Sequence, residues 1–340
     1  MIPTRLAQRW TTLGAHWTII VHWRRFRRFF ASNRHPEPAG HAQPHPWPQR
    51  RNTRMDTSLH LPARSLAAAA ARRELPNVFG QSIEYESGAR EVAHTHPRAQ
   101  LLYATSGLIR VRTPGASWIV GPNRALLVPP RVEHELEMVG TVAFRTLYIE
   151  PCPVTEEVEG RLLPVSGLLR EAILAMVAEP VRPHAPGSLA DLLAQLIARL
   201  LDAALQSADA VPDVLAASPD AIAADAGRLP MPQHPRLRKI CQALMDDPAN
   251  AESLEHWGDR LGASSRTLAR HFQRETGMPF AKWREQMRVS EAMCQLSTQT
   301  PIPDVAARLG YADANTFAVM FKRVLNMTPL KYQAMMCPPA

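Results

Sequence analysis

Three histidines and a glutamine are the side chains of this 340-residue sequence best suited to act at one point: His94, His96, Gln100 and His134. An imidazole nitrogen can donate its lone pair to a transition metal or accept a hydrogen bond from a ligand. His94 and His96 stand two apart, so on an extended strand they share a face. His134 can join them if a later strand lies alongside. Two readings stay open at this point. The three histidines hold a divalent metal, with Gln100 as a neutral, weaker fourth ligand; or the four side chains require no cofactor, lining a small-molecule pocket or only the polar mouth of a barrel. No nucleophilic triad, phosphate-cradling loop or further acid/base constellation is visible, so no catalytic residue is assigned. Cys152, Cys241, Cys294 and Cys337 lack paired spacing, which fits reduced thiols in a cytoplasm.

The elements that must position these groups are short strands. From Val78 to Glu150, apolar runs alternate with turn residues, predicting strands over 78–85, 100–106, 108–113, 117–120, 125–128, 134–138 and 142–149. Ser106-Gly107, Pro114-Gly115 and Gly121-Pro122-Asn123 supply breaks. Strands at this spacing predict a β-barrel or jelly roll. Two amphipathic helices should follow, one carrying Val165, Leu168, Leu169, Ala172, Ile173, Met176 and Val177, the other Leu189, Leu192, Leu193, Leu196, Ile197, Leu200 and Leu201. The leucine-rich second helix is expected to serve at least partly as a dimer face, with an intramolecular core helix as the close alternative. Residues 206–235, rich in Ala, Asp, Ser and Pro, read as a linker.

A second chemistry comes from an internal repeat. Leu254 to Phe272 and Ile302 to Phe321 each contain a short helical pattern, a Leu-Gly break, a polar cap (Ser264 or Asp313) and a second helical pattern anchored by apolar residues four apart. The glycine lets the chain turn, the cap starts the second helix, and the anchors bury one face while the other stays free for a DNA major groove. Ser265, Arg266, Ala269, Arg270, Gln273 and Arg274 lie on the free side of the first such helix. Ala314, Asn315, Ala318, Val319, Lys322 and Arg323 lie on that of the second. Arginine can read guanine and asparagine adenine, whereas Gln273, Arg274, Lys322 and Arg323 lie toward phosphates.

Two resemblances extend this reading. Gly88, His94-Thr95-His96, Gln100 and Gly107 have the spacing of the first cupin motif, with Gln100 where that family usually has Glu. Pro129 to His134 is similar to the second motif, with Arg131 replacing a glycine. Residues 231–340 resemble the DNA-binding domain of the AraC/XylS family of bacterial transcription regulators, carried by Leu309-Gly310, Asn315, Phe317, Phe321, Lys322, Arg323, Met327-Thr328-Pro329 and Tyr332. That resemblance implies two helix-turn-helix units flanking a linking helix, here 279–296, with recognition helices over 264–275 and 313–324.

The expected fold is therefore α+β in two parts: a cupin-like sensor over 55–205, with helices at its C-terminal end, and an all-α double helix-turn-helix over 236–337. The resemblances imply an effector-controlled activator or repressor, double-stranded DNA and a small-molecule effector as partners, a homodimer, and RNA polymerase as a further candidate partner. A metal-dependent cupin enzyme with an accessory DNA-binding part is the alternative from another class.

Charge refines the picture. The formal charge of +8 comes from residues 1–54, where ten arginines face one acid, Glu37; residues 55–230 carry −5 and residues 231–340 carry +4. The extension, with Trp10, Trp17, Trp23 and Trp47, is expected to be disordered, with Met55 as an alternative start. A basic amphipathic helix on a membrane surface is the other reading of it. Thr18 to Val21 is far too short to span a membrane, and Arg24 to Arg28 is not followed by the apolar segment an export signal requires.

Overall fold

The computed structural model describes residues 75–152, 155, 160–209 and 227–336; the basic extension, Met55 and Cys337 lie outside them. Eight strands form one antiparallel sheet: β1 (Val78–Tyr85), β2 (Arg90–His94), β3 (Ala99–Arg112), β4 (Ala116–Val120), β5 (Arg124–Val128), β6 (His134–Ile149), β7 (Arg161–Pro164) and β8 (Arg228–Pro230). Strands β3 and β6 pair along nearly their whole length. One half of this long ribbon is flanked by β1 and by β5 with β7, the other by β2 and by β4 with β8. Leu102 and Phe144 from the first half share a core with Val111, Trp118, Leu136 and Met138 from the second, so the sheet folds over and the halves face each other as in a jelly roll.

The alternation along β3 explains the next layer. Leu102 and Ala104 point into that core, whereas Leu101 and Tyr103 point the other way, onto two helices. These are α1 (Gly167–Ala178), started by Ser166 accepting from the Leu169 amide, and α2 (Leu189–Asp209). Leu169, Ile173 and Met176 of α1 and Leu193, Ile197 and Leu201 of α2 complete this second core.

Two expected breaks are not breaks. Residues 100–106 and 108–112 belong to the single strand β3, which stops one residue short of the expected 113, and 134–138 and 142–149 belong to the single strand β6. Gly107 adopts φ +75°, and the pairing with β6 shifts register between Ala104 and Ser106 and again between Ser106 and Leu108. A Cβ at Gly107 would lie 2.4 Å from the Thr141 carbonyl oxygen. Glycine here bends a continuous ribbon through a bulge instead of ending it.

Seven helices follow: α3 (Pro235–Asp246), α4 (Leu254–Leu261), α5 (Ser265–Thr276), α6 (Phe280–Ser297), α7 (Ile302–Arg308), α8 (Ala314–Leu325) and α9 (Pro329–Met336). The segment expected to be a linker departs from that expectation at both ends: α2 runs on to Asp209, and Arg228–Pro230 is strand β8, paired with β4. Pairing Ala116 with Pro230 and Ser117 with Leu229 satisfies a sheet edge that would otherwise be open. Among the described residues, no helix is long and apolar enough to cross a membrane.

Candidate effector site and nucleic-acid interface

The histidines converge where the ribbon begins. His94 ends β2 and His134 opens β6, and the two are direct cross-strand partners. His96 lies beyond β2, in the bend before Pro97, because proline cannot donate to a ladder. It still joins the others, its ring 5.1 Å from that of His134 and 5.9 Å from that of His94. Each Nδ1 is held by a backbone carbonyl: His94 by Val92 at 2.8 Å, His96 by Arg98 at 2.7 Å and His134 by Val132 at 2.8 Å. These contacts place the proton on Nδ1 and leave the Nε2 lone pair inside. One ligand atom from each ring lies within 4.8 Å of the others. Burial lowers the pKa of His96 and pulls that of His134 down to about 3, so both are neutral and can donate lone pairs.

Gln100, fully buried on β3, places its side-chain oxygen 2.9 Å from Nε2 of both His96 and His134, and its NH2 donates to Thr146 Oγ1 at 3.0 Å. In this orientation the amide oxygen and two imidazole nitrogens, all lone-pair bearers, face one another. A cation among them resolves the conflict. So does turning the amide end for end, which offers one N–H to each imidazole while the oxygen accepts from the Thr146 hydroxyl. The donor set therefore fits a divalent transition metal through three imidazoles. It equally fits a closed hydrogen-bond network that a polar ligand could join.

Besides Thr146, the sequence reading missed three neighbours. Glu91 lies 4.0 Å from His94 Nε2 and accepts a hydrogen bond from the Tyr85 hydroxyl, while Tyr148 meets His96 edge-on at 5.4 Å between ring centres. Three residues apart on a regular strand, Glu91 and His94 would face opposite ways; a register shift between them brings them together. Burial, and then the Glu91 charge, drive the Tyr85 phenol upward, and burial does the same to Tyr148, so both hydroxyls keep their protons.

The helical half forms two matching units. Helix α4 ends at Gly262 (φ +64°), and Ser264 caps α5 by accepting from the Thr267 amide at 3.2 Å. Helix α7 leads through Leu309 to Gly310 (φ +77°), and Asp313 caps α8 by accepting from the Thr316 amide at 2.8 Å. A Cβ on Gly310 would also lie 2.9 Å from the Ala249 carbonyl oxygen, so glycine is required there on two counts. Leu268 and Phe272 of α5, and Phe317 and Phe321 of α8, are buried.

On the outward side of α5, Arg266, Ala269, Arg270, Gln273 and Arg274 are exposed. Ser265 is half-buried, its hydroxyl bonded to Glu255. Gln273 donates to the Gly277 carbonyl at 2.9 Å and so helps close the end of its own helix. On α8, Asn315, Val319, Lys322 and Arg323 are exposed, with Val319 retaining 71% of its accessible surface, while Ala314 and Ala318 are half-buried. Arg323 pairs with Glu285 of α6.

Comparison with known proteins agrees with this geometry. A family model described as the AraC-like ligand binding domain matches residues 75–217, and one described as a helix-turn-helix domain matches 257–335. This chain belongs to the AraC family of transcription regulators. Among similar proteins, the HTH-type transcriptional regulator NimR of Escherichia coli K12 is 29% identical over 241 residues, covering 71% of this chain and 81% of NimR. RipA of Corynebacterium glutamicum is 36% identical over 115 residues, which is 33% of this chain and 35% of RipA. RhaR of Klebsiella pneumoniae, named as a transcriptional activator, is 33% identical over 94 residues, which is 27% of this chain and 34% of RhaR. The family consists of regulators, so the metal-dependent enzyme alternative is set aside. The regulator joins a ligand-binding half to a DNA-binding half, in that order along the chain.

Proposed function

We propose that this regulator reads its operator through α5 and α8, under control of an effector held at His94, His96, Gln100 and His134. The observation that carries the reading is the doubled unit: two capped helices, each burying aromatic or leucine anchors and exposing the opposite face. Arg266 and Arg270 are suited to guanine edges and Asn315 to adenine, with Ser265 at the start of α5 and Ala269 allowing close approach. On α8, Ala314, Ala318 and exposed Val319 favour thymine methyl groups and DNA shape over hydrogen-bonded readout. Gln273, Arg274, Lys322 and Arg323 would contact phosphates, which fix register.

The occupant of the histidine site is a divalent transition metal or a polar small molecule bound without one, and the orientation of the Gln100 amide separates the two. A bound metal would be held by the three imidazoles and would supply a fixed positive charge. Exposed Leu168 on α1 and Leu189 and Leu192 on α2 favour a homodimer through these helices. The regulator would work in the cytoplasm, where its DNA lies, and contact with RNA polymerase would follow if it activates transcription. The sensor is assigned to 55–205 together with β8, and the DNA-binding unit to 236–337.

The test is selection of duplexes from a random library by the full chain, then footprinting with Zn(II), Ni(II) or Mn(II) and with EDTA. The expected footprint per chain covers two successive major-groove windows about 10 base pairs apart. Failure to enrich any sequence would remove the reading.

A further inference from the structure

Helix α6 belongs to three bodies at once. Its Trp283 packs edge-on against Phe272 of α5, with ring centres 5.7 Å apart. Val289, Ala292 and Leu296 share a core with Phe317 and Phe321 of α8, and Glu285 holds Arg323. Toward the sheet, Trp283 Nε1 donates to the Pro230 carbonyl of β8 at 2.7 Å, and Cys294 and Met293 pack with Leu108, Ile119 and Val139 of β3, β4 and β6. Beside that apolar contact, Arg110 of β3 reaches Glu291 of α6 at 2.6 Å.

Arg110 also ends a row of charges that crosses the strands carrying His94 and His134, a few residues along from them. Arg90 of β2, Glu137 of β6 and Arg110 of β3 are cross-strand partners in sequence across the three strands. Glu137 lies 2.6 Å from Arg90, 3.1 Å from Arg112 and 3.8 Å from Arg110, and Arg112 also meets Glu135 at 2.7 Å. Three arginines are thus balanced by three carboxylates, and Glu291 is the one carboxylate from outside the sheet. On the same strands, His94 is four residues from Arg90 and His134 three residues from Glu137.

We propose that Arg110, shared between Glu137 and Glu291, couples the histidine site to α6 and through it to both recognition helices. This rests on the reading of the histidines as the effector site. An occupant that draws His94 and His134 toward itself pulls on β2 and β6, shifts Glu137 against Arg110, and changes how the guanidinium divides between its two carboxylates. Because α6 touches α5 and α8 directly, a change in its hold on the sheet alters the relative placement of the two DNA-reading faces. The partly buried setting gives the pair leverage that an exposed pair would lack, since solvent screens it less.

A double-mutant cycle on operator affinity tests this without a known effector. The full chain, its His134→Ala and Glu291→Gln variants and the double variant are titrated with a selected duplex at fixed salt in EDTA. Gln100→Ala serves as the second perturbation of the site should His134→Ala not melt cooperatively. The expected result is an affinity change of about threefold or more from His134→Ala in the parent, and a change of less than about 1.5-fold in the Glu291→Gln background. Arg110→Gln should abolish the response in the same way. Equal fold-changes in both backgrounds would overturn the coupling and leave the site reading intact. Operator binding that ignores both His134→Ala and Gln100→Ala would overturn the coupling together with the site reading.

Discussion

Replacing Gln100 by Glu should change sign with metal. The amide meets three partners, His96, His134 and Thr146, at 2.9, 2.9 and 3.0 Å, and is fully buried. A carboxylate has no N–H to offer. Thr146 can rotate its hydroxyl to donate to it, but both imidazole lone pairs then face a negative oxygen. At about 1–3 kcal/mol for each buried group left unsatisfied, two such groups cost roughly 2–6 kcal/mol. At about 2–4 °C per kcal/mol for a unit of this size, the melting temperature in EDTA should fall on the order of 10 °C. With a divalent ion, the same charge becomes an attraction. At about 4 kcal/mol per pair of unit charges 4 Å apart at an effective dielectric near 20, even a small surplus over desolvation raises affinity about tenfold or more. Differential scanning calorimetry of Gln100→Glu and parent, in EDTA and in Zn(II), with calorimetric titration of the metal, measures both arms. A variant that melts with the parent in EDTA and binds Zn(II) no more tightly would refute both the closed network and the ligand set.

Four further outcomes are expected. Arg270→Ala should weaken binding to the selected duplex by about 1–3 kcal/mol and relax preference at one position, measured by repeating the selection with the variant. Phe321→Ala, which empties a fully buried position between α6 and α8, should lower stability by about 3–5 kcal/mol in urea unfolding. Although burial raises the Glu137 carboxyl, Arg110, Arg112 and Arg90 together hold it below its ordinary value. Its stabilisation is therefore full above about pH 4.3 and lost as pH falls through the lower folded value, so Glu137→Gln should flatten the acid limb of the melting curve. Removing residues 1–54 should leave operator affinity and specificity unchanged at matched salt, checked by anisotropy titration.

Much of the helical half was legible because its signals are local. A Leu-Gly turn, a cap and anchors four apart lie within about 20 residues of one another, and Ser264 and Asp313 cap their helices as the pattern requires. The histidines were legible as residue types at a spacing, and they do meet. What surrounds them was not. Glu91 is hidden by a bulge that breaks the two-residue alternation, and Thr146 contributes through a contact across 46 residues of chain. In the sequence Gly107 reads as a stop that divides the ribbon, whereas its left-handed backbone serves a bend. Strand β8 was absorbed into a proline-rich run; Pro230 sits on the sheet edge, where a missing N–H is tolerated. Arg110 and Glu291 lie 181 residues apart, and no spacing rule relates them.

Strand β8 leaves little slack between the two halves. It ends at Pro230 and α3 begins at Pro235, so Met231 to His234 are the whole connection, about 13 Å of chain at full stretch. Even these four residues are tied down: the Met231 amide donates to the Gly115 carbonyl, Arg238 to the Pro232 carbonyl, and the amides of Gln233 and His234 to Glu275 of α5. A joint this short passes on torque instead of absorbing it, and sets the angle at which the reading heads arrive. Two chains joined through their sensors would then tolerate only half-sites in phase on the double helix. Five base pairs added between such half-sites would turn one of them to the far side, beyond the reach of a four-residue joint.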